Sequence, residues 1–247
     1  MIIQSLNSIL NKLGYKIVKD SFKEEYVEFL DIYSFCKPFT MTTVERMYAL
    51  YKGVEYVIKN NIEGDFVECG VWKGGSSMVI AKTLQKFGVT DRKIWMYDTY
   101  EGMSAPTEND KDNTGISADL LLSKSSKKEA TSVWCYSSLD EVKNNLASTG
   151  YPTKNIEFVK GKVEDTIPNI IPSQPIALLR LDTDWYESTK HELNYMFPLL
   201  QSAGILIIDD YGHWEGAKKA VDEYLLHNQV KLFLSKVDYS GRIAVKI

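Results

Sequence analysis

Two apolar runs in this 247-residue chain end in carboxylates. In 179-LRLDTDWYES-188 the aliphatic stretch from Ile176 to Leu181 stops at Asp182 and Asp184, with Glu187 close behind. In 204-GILIIDDYGHWEG-216 the stretch from Ile205 to Ile208 stops at Asp209 and Asp210. Short aliphatic runs bounded this way read as buried strands, so both acidic pairs are expected where strands leave a sheet. Gathered in one crevice, Asp182, Asp184, Asp209 and Asp210 would repel one another strongly unless a cation lay among them. Oxygen donors alone select a hard ion, Mg²⁺ first and Mn²⁺ or Ca²⁺ as alternatives, because softer metals favour sulfur and imidazole. The plainer account makes these acids turn and cap residues. Either pair alone fits that account, whereas two pairs at adjoining strand ends favour the ion.

A third strand end carries a different chemistry. In 68-ECGVWKGGSS-77, Gly70, Gly74 and Gly75 allow a tight turn and close approach of backbone to a ligand, and Ser76 and Ser77 open a helix whose N–H groups face it. The spacing is not the G-x-G-x-x-G of a dinucleotide fingerprint, which argues against NAD. A zwitterionic amino-acid tail suits the loop better, with Glu68 accepting from its ammonium and backbone N–H groups donating to its carboxylate. In 95-WMYDTYEGM-103, Asp98 ends another strand where an acid can accept from both hydroxyls of a ribose. Loop and acid together describe a nucleoside joined to an amino acid, and S-adenosylmethionine is such a molecule.

Alternating strands and helices must position these groups. Helices are expected over Thr42–Asn61, with Thr42 or Thr43 as cap, and over Ser76–Phe87, Leu139–Ser148, Glu187–Met196 and Trp214–Leu226. Strands are expected over Asp65–Cys69, Lys93–Asp98, Ile156–Lys160, Ile176–Leu181 and Ile205–Ile208, then Lys231–Val237 and Arg242–Ile247 around Asp238-Tyr239-Ser240-Gly241. Helical crossovers demand a mostly parallel sheet, while the last two strands lie too close together for one and form an antiparallel hairpin. The fold class is α/β: a Rossmann-like class I methyltransferase sheet with a C-terminal hairpin. Residues 1–61 read as a helical N-terminal extension and 62–247 as the S-adenosylmethionine-dependent domain. Within it, residues 102–138 form a polar insertion with apolar islands at Leu120–Leu122, Val133 and Trp134, which suggests a lid rather than disorder.

Composition narrows the partners. With 44% hydrophobic and 25% charged residues the chain is globular, and a formal net charge of −4 argues against nucleic acid. Cys36, Cys69 and Cys135 have no disulfide or zinc spacing, so a reducing cytoplasm fits. The first residues lack the unbroken apolar core of a signal peptide or membrane span. Ile3, Leu6, Ile9, Leu10 and Leu13 make an amphipathic helix suited to packing on the protein or on a second copy in a homo-oligomer.

The runs 66-FVECGVWKGGSSM-78, 97-YDTYEGM-103, 164-EDTIP-168, 179-LRLDTDWYEST-189 and 207-IIDDYGHWEGAKKAVDEY-224 resemble those of the macrocin O-methyltransferase family, over about Thr42 to Ile247. These bacterial enzymes methylate hydroxyls on sugars of antibiotics and related glycosides. The resemblance implies dependence on S-adenosylmethionine and Mg²⁺, a metal on Asp182, Asp209 and Asp210, a general base at Asp184, and a sugar or glycoside acceptor. It departs after the third strand, where 160-KGKVED-165 offers Lys162 in place of the acid that often holds the adenine amine. Glu164, Asp165 or the backbone near Val163 must serve instead. His191 and His227 read as surface or packing residues, whereas His213 either lines the acceptor pocket or serves as a cap. Trp72, Trp185, Tyr186, Tyr211 and Trp214 crowd the same crevice. The nearest rival is a metal-dependent methyltransferase of catechols or other phenols. A non-catalytic binding module would have no need of the acids, and a metal-dependent hydrolase would leave the glycine loop and Asp98 idle.

Overall fold

A computed structural model describes residues 10, 26–127, 129 and 132–247. Ile3, Leu6, Ile9 and Leu13, expected on an amphipathic helix, lie outside the described residues. Two compact units divide the chain, Met1–Asp31 and Ile32–Ile247, and the site lies wholly in the second.

The helices are α1 (Leu30–Cys36), α2 (Val44–Lys59), α3 (Gly75–Lys86), α4 (Ala118–Ser123), α5 (Leu139–Ser148), α6 (Val163–Thr166), α7 (Tyr186–Tyr195) and α8 (Glu215–His227). The strands are β1 (Asp65–Cys69), β2 (Ile94–Asp98), β3 (Ile156–Lys160), β4 (Ile176–Leu181), β5 (Leu200–Ile208), β6 (Ser235–Lys236) and β7 (Arg242–Val245). They form a seven-stranded sheet in the order β3-β2-β1-β4-β5-β7-β6. β1 to β5 pair in parallel, and β7 runs antiparallel to both β5 and β6. The chain winds outward through β2 and β3, then returns to place β4 on the other side of β1. That reversal opens a crevice beyond the carboxyl ends of β1 and β4, where ligands bind in sheets of this kind.

Side-chain alternation explains the layers. Val67, Cys69, Leu179, Leu181, Leu206 and Ile208 join one core cluster with Leu193 of α7 and Val221 of α8. On the opposite face α2 comes so close that a Cβ on Gly53 would sit 3.3 Å from both Leu178 and Ile205. Phe66, Glu68, Leu178, Arg180, Ile205 and Ile207 share that second face by parity. β4 is buried along its whole length, which fits its central place.

The helices begin and end close to where the residue patterns put them. Thr43 is the cap of α2, its hydroxyl accepting from Arg46 N at 3.3 Å. The expected strand Lys231–Val237 shortens to Ser235–Lys236. Leu232 and Leu234 pack on the core instead of extending the ladder, so an alternating apolar run that reads as a strand serves as side packing.

Candidate active site

The ladder runs one residue past the strands and aligns the groups predicted from sequence. Gly70 N donates to Tyr97 O at 2.9 Å, Asp182 N to Cys69 O at 2.8 Å, and Asp209 N to Leu181 O at 2.9 Å. Gly70 has φ +84°, and a Cβ there would lie 1.9 Å from Asp182 O, so glycine is what allows the end of β1 to touch the end of β4. Beyond these ends lies a cavity of about 320 Å³. Gly70, Ser76, Asp98, Val163, Asp182, Asp184, Asp209 and Asp210 line it.

Glu68, Gly74 and Ser77 lie behind that lining. Glu68 is buried, with Oε1 accepting from Arg180 Nη1 at 2.6 Å and Oε2 from the Ser77 hydroxyl. Burial pushes its carboxyl above the usual range, against the pull of Arg180 and Ser77. Gly74, with φ +87°, precedes α3 and faces Leu146 and Val142 of α5. Asp98 anchors the loop: its Oδ2 accepts from Val71 N at 2.7 Å and Trp72 N at 3.2 Å, and its Oδ1 from Tyr100 N at 2.6 Å. Gly161, Lys162, Val163 and Glu164 close this side of the cavity beside Asp98.

Three of the four acids cluster. Asp182, Asp184 and Asp210 each offer a carboxylate oxygen within 4.8 Å of the others. Asp209 points to the α2 face instead, where Oδ1 accepts from Arg180 Nη2 at 2.6 Å and Oδ2 from Arg46 Nη1. Arg180 also reaches Asp182 at 2.7 Å, and Arg46 lies 3.0 Å from Asp238. Burial, then the neighbouring acids, push Asp210 well above the ordinary carboxylate range. Burial raises Asp182 as well, against Arg180 and with Asp209 and Asp210. Burial and Asp182 push Asp184 up to about 7. Asp210 Oδ2 is buried without a hydrogen-bond partner among the described residues. Asp184, Trp72 and Cys135, all lining the cavity, hold φ of +67°, +47° and +45°, uncommon for residues with a side chain and found where a site dictates the backbone.

Sequence reasoning singled out neither Arg180 nor Arg46. The signal for Arg180 was present: a cation inside the apolar run 176-IALLRL-181 must be paired when buried, and its partners must share its face. Arg46 leaves no comparable trace, since one arginine in the first turns of an amphipathic helix is ordinarily solvated.

The insertion forms a wall. α4 packs with Trp185, Trp214 and Ala217, and Trp134 Nε1 donates to Leu122 O and Ser125 O, both at 3.1 Å. Asp110, almost fully buried, accepts from Tyr186 N at 2.7 Å at the start of α7. A Cβ on Gly216 would stand 2.1 Å from the same carboxylate oxygen, so a glycine in the first turn of α8 makes room for it.

This sheet order, with a glycine loop and Asp98 on one side of the crevice and acids on the other, defines the class of S-adenosylmethionine-dependent methyltransferases. The sequence profile of the macrocin-O-methyltransferase family (TylF) matches residues 12–245, and the chain belongs to that family. It is 32% identical over 202 residues to a demethyldecarbamoylnovobiocin O-methyltransferase of Streptomyces niveus, covering 82% of this chain and 73% of that one. Over 202 residues it is 29% identical to a mycinamicin III 3''-O-methyltransferase of Micromonospora griseorubida, covering 82% and 76%. Among solved structures, the O-methyltransferase NovP superposes with a TM-score of 0.73 at 29% identity, over 84% of this chain and 82% of that one. The calicheamicin methyltransferase CalS11, at 18% identity and a TM-score of 0.65 over 98% and 91%, shares the fold. The protein is thus an S-adenosylmethionine-dependent O-methyltransferase. Among the described residues no helix is long and apolar enough to cross a membrane.

Proposed function

We propose that the enzyme transfers a methyl group from S-adenosylmethionine to a hydroxyl of a sugar or glycoside, with a divalent ion, Mg²⁺ first, at the acid cluster. The observation that carries this is a single cavity whose lining includes both the Gly70–Asp98 side and the Asp182–Asp184–Asp210 cluster. The relatives named as O-methyltransferases of demethyldecarbamoylnovobiocin and of mycinamicin III support the acceptor class.

The donor set fits a hard cation: oxygen ligands only, mutually close, with the buried Asp210 Oδ2 lacking a partner. Asp182 and Asp210 would hold it; Asp209 stands outside this mutually close set with both oxygens engaged by Arg180 and Arg46, so its share in the ion would run through the lone pairs those guanidinia leave free. A divalent ion bound there would supply positive charge that lowers the pKa of an acceptor hydroxyl. Asp98 would accept from the ribose hydroxyls, and Ser76 and the backbone near Gly70 and Val163 would surround the rest of the cofactor. Asp184 takes the acceptor proton. The acceptor oxygen then forms its bond to the methyl carbon as the carbon–sulfur bond breaks, with that electron pair left on sulfur. Since the sulfonium loses its charge in the step, alignment is the protein's main contribution.

The test is a screen of glycosides, nucleotide sugars and catechols with labelled S-adenosylmethionine and Mg²⁺, followed by mass analysis of products. Transfer to glycosides is expected. Transfer confined to catechols or other phenols would replace the sugar acceptor.

A further inference from the structure

His213 lines the cavity, yet its Nδ1 is buried and has no hydrogen-bond partner among the described residues. Leaving a buried polar atom unmade costs stability, and such atoms are ordinarily satisfied by protein, water or a ligand. The ring is held on both sides. Trp214 meets it edge-on with centroids 4.9 Å apart, and Tyr239 at 5.9 Å and 90°. Trp214 is itself locked against Trp185 at 4.9 Å and bridged through its backbone to Asp112 of the insertion. The His213 amide donates to Asp210 O at 3.0 Å, which ties the ring's position to the acid cluster. A ring nitrogen without a protein partner is free to make a hydrogen bond to a ligand oxygen. Tyr239, 54% exposed, stands at the cavity edge on the turn anchored by Thr43 and Arg46 through Asp238.

We propose that His213 is a specificity-determining residue that hydrogen-bonds an oxygen substituent of the acceptor beside the hydroxyl being methylated. The acceptor is then a ring oxygenated on adjacent carbons, bordered by Tyr239, rather than an isolated alcohol. This rests on the acceptor class proposed above. Neither the cofactor nor the ion needs His213.

The experiment uses the full chain with Mg²⁺, S-adenosylmethionine, a panel of p-nitrophenyl glycosides and their monodeoxy analogues. His213→Leu should raise KM for the parent glycoside about tenfold or more with kcat within about threefold. Calorimetric affinities for S-adenosylmethionine and Mn²⁺ should stay unchanged. His213→Asn, whose amide can occupy the place of Nδ1, should recover most of the loss. Removing the neighbouring hydroxyl from the acceptor should cost the native enzyme a similar factor and the Leu variant almost nothing more, because the two changes delete one interaction. The proposal is overturned if KM is unmoved by His213→Leu, if the deoxy penalty is equal in both proteins, or if the variant loses Mn²⁺ binding. Native enzyme that methylates none of the glycosides overturns the acceptor class itself, and this inference with it.

Discussion

At the scale of single residues, Asp184 and Asp209 illustrate how neighbours assign roles to identical side chains. Asp209 shares a face with Arg180 and meets two guanidinia, whereas Asp184 has Asp182 beside it in a buried setting and is pushed up to about 7. A carboxylate so raised is a better proton acceptor near neutrality. Asp184→Asn should keep cofactor binding and lose transfer by roughly 100-fold or more, the usual scale for a positioned base. The base works deprotonated, so the native rate should fall as pH drops through its pKa, and saturating Mg²⁺ should move that limb to lower pH by favouring the charged form. Asp209→Asn should instead weaken the ion, with activity partly restored by excess Mg²⁺. Rescue of Asp184→Asn by added metal would reverse the two assignments. Arg180 belongs to the same scale. Buried between Glu68, Asp182 and Asp209, it cannot be removed without leaving acids unpaired. Arg180→Met should cost about 3–5 kcal/mol in denaturant unfolding, and near-native stability would mean that the pairs contribute nothing net.

At the scale of elements, the strand ends were legible because burial writes itself into aliphatic runs and function interrupts them. Asp98, Asp182, Asp184, Asp209 and Asp210 each follow such a run, and all line the cavity. Parity along the strand was equally available and separates Asp209 from Asp210, yet it becomes decisive only once the neighbours β1, β4 and β5 are known. Glu68 lies behind the cavity lining, paired with Arg180. Its place at the end of β1 was clear, but its pairing with Arg180 requires the register that sets Glu68 opposite Arg180. The insertion was the least legible element, since its order comes from long-range contacts: Asp110 at the start of α7, Gly216 beneath it, and Trp134 over α4. This predicts that Gly216→Ala, which forces a methyl against the Asp110 carboxylate, should destabilise the protein by about 1–3 kcal/mol. It should also raise the acceptor KM more than the cofactor KM, as measured by steady-state kinetics. Equal effects on both would show that the insertion does not shape the acceptor side.

At the scale of the molecule, the sheet delivers more acid to one cavity than its two arginines balance, and this makes stability respond to protons and to cations together. Burial first, and the neighbouring acids after it, raise Asp182 and Asp210 well above their ordinary values and Asp184 to about 7. Between the ordinary carboxylate range near pH 4 and those raised values, the folded chain binds more protons than the unfolded one. These three acids therefore make stability fall as pH rises through that window, against the single imidazole of His213, whose lowered pKa acts the other way just below its ordinary value. Glu55 and Asp238 are lowered, and their opposite effect is confined to pH below about 4. Glu68 and Glu192 are raised by burial too, but they lie outside the acid trio, so their share should not respond to Mg²⁺. In chelator, the melting temperature should be higher at pH 5.5 than at pH 7.5. A divalent ion competes with those protons, so Mg²⁺ should raise the melting temperature more at pH 7.5 and flatten the profile. At a hundredfold excess over Kd the gain approaches about 2.7 kcal/mol, worth roughly 5–10 °C for a chain of this size. S-adenosylmethionine should still bind in chelator, because its side of the cavity draws on β1 and β2, while transfer should cease. A melting temperature in chelator that climbs with pH from 5.5 to 7.5, or a Mg²⁺ effect no larger at the higher pH, would mean that these acids do not share a cation.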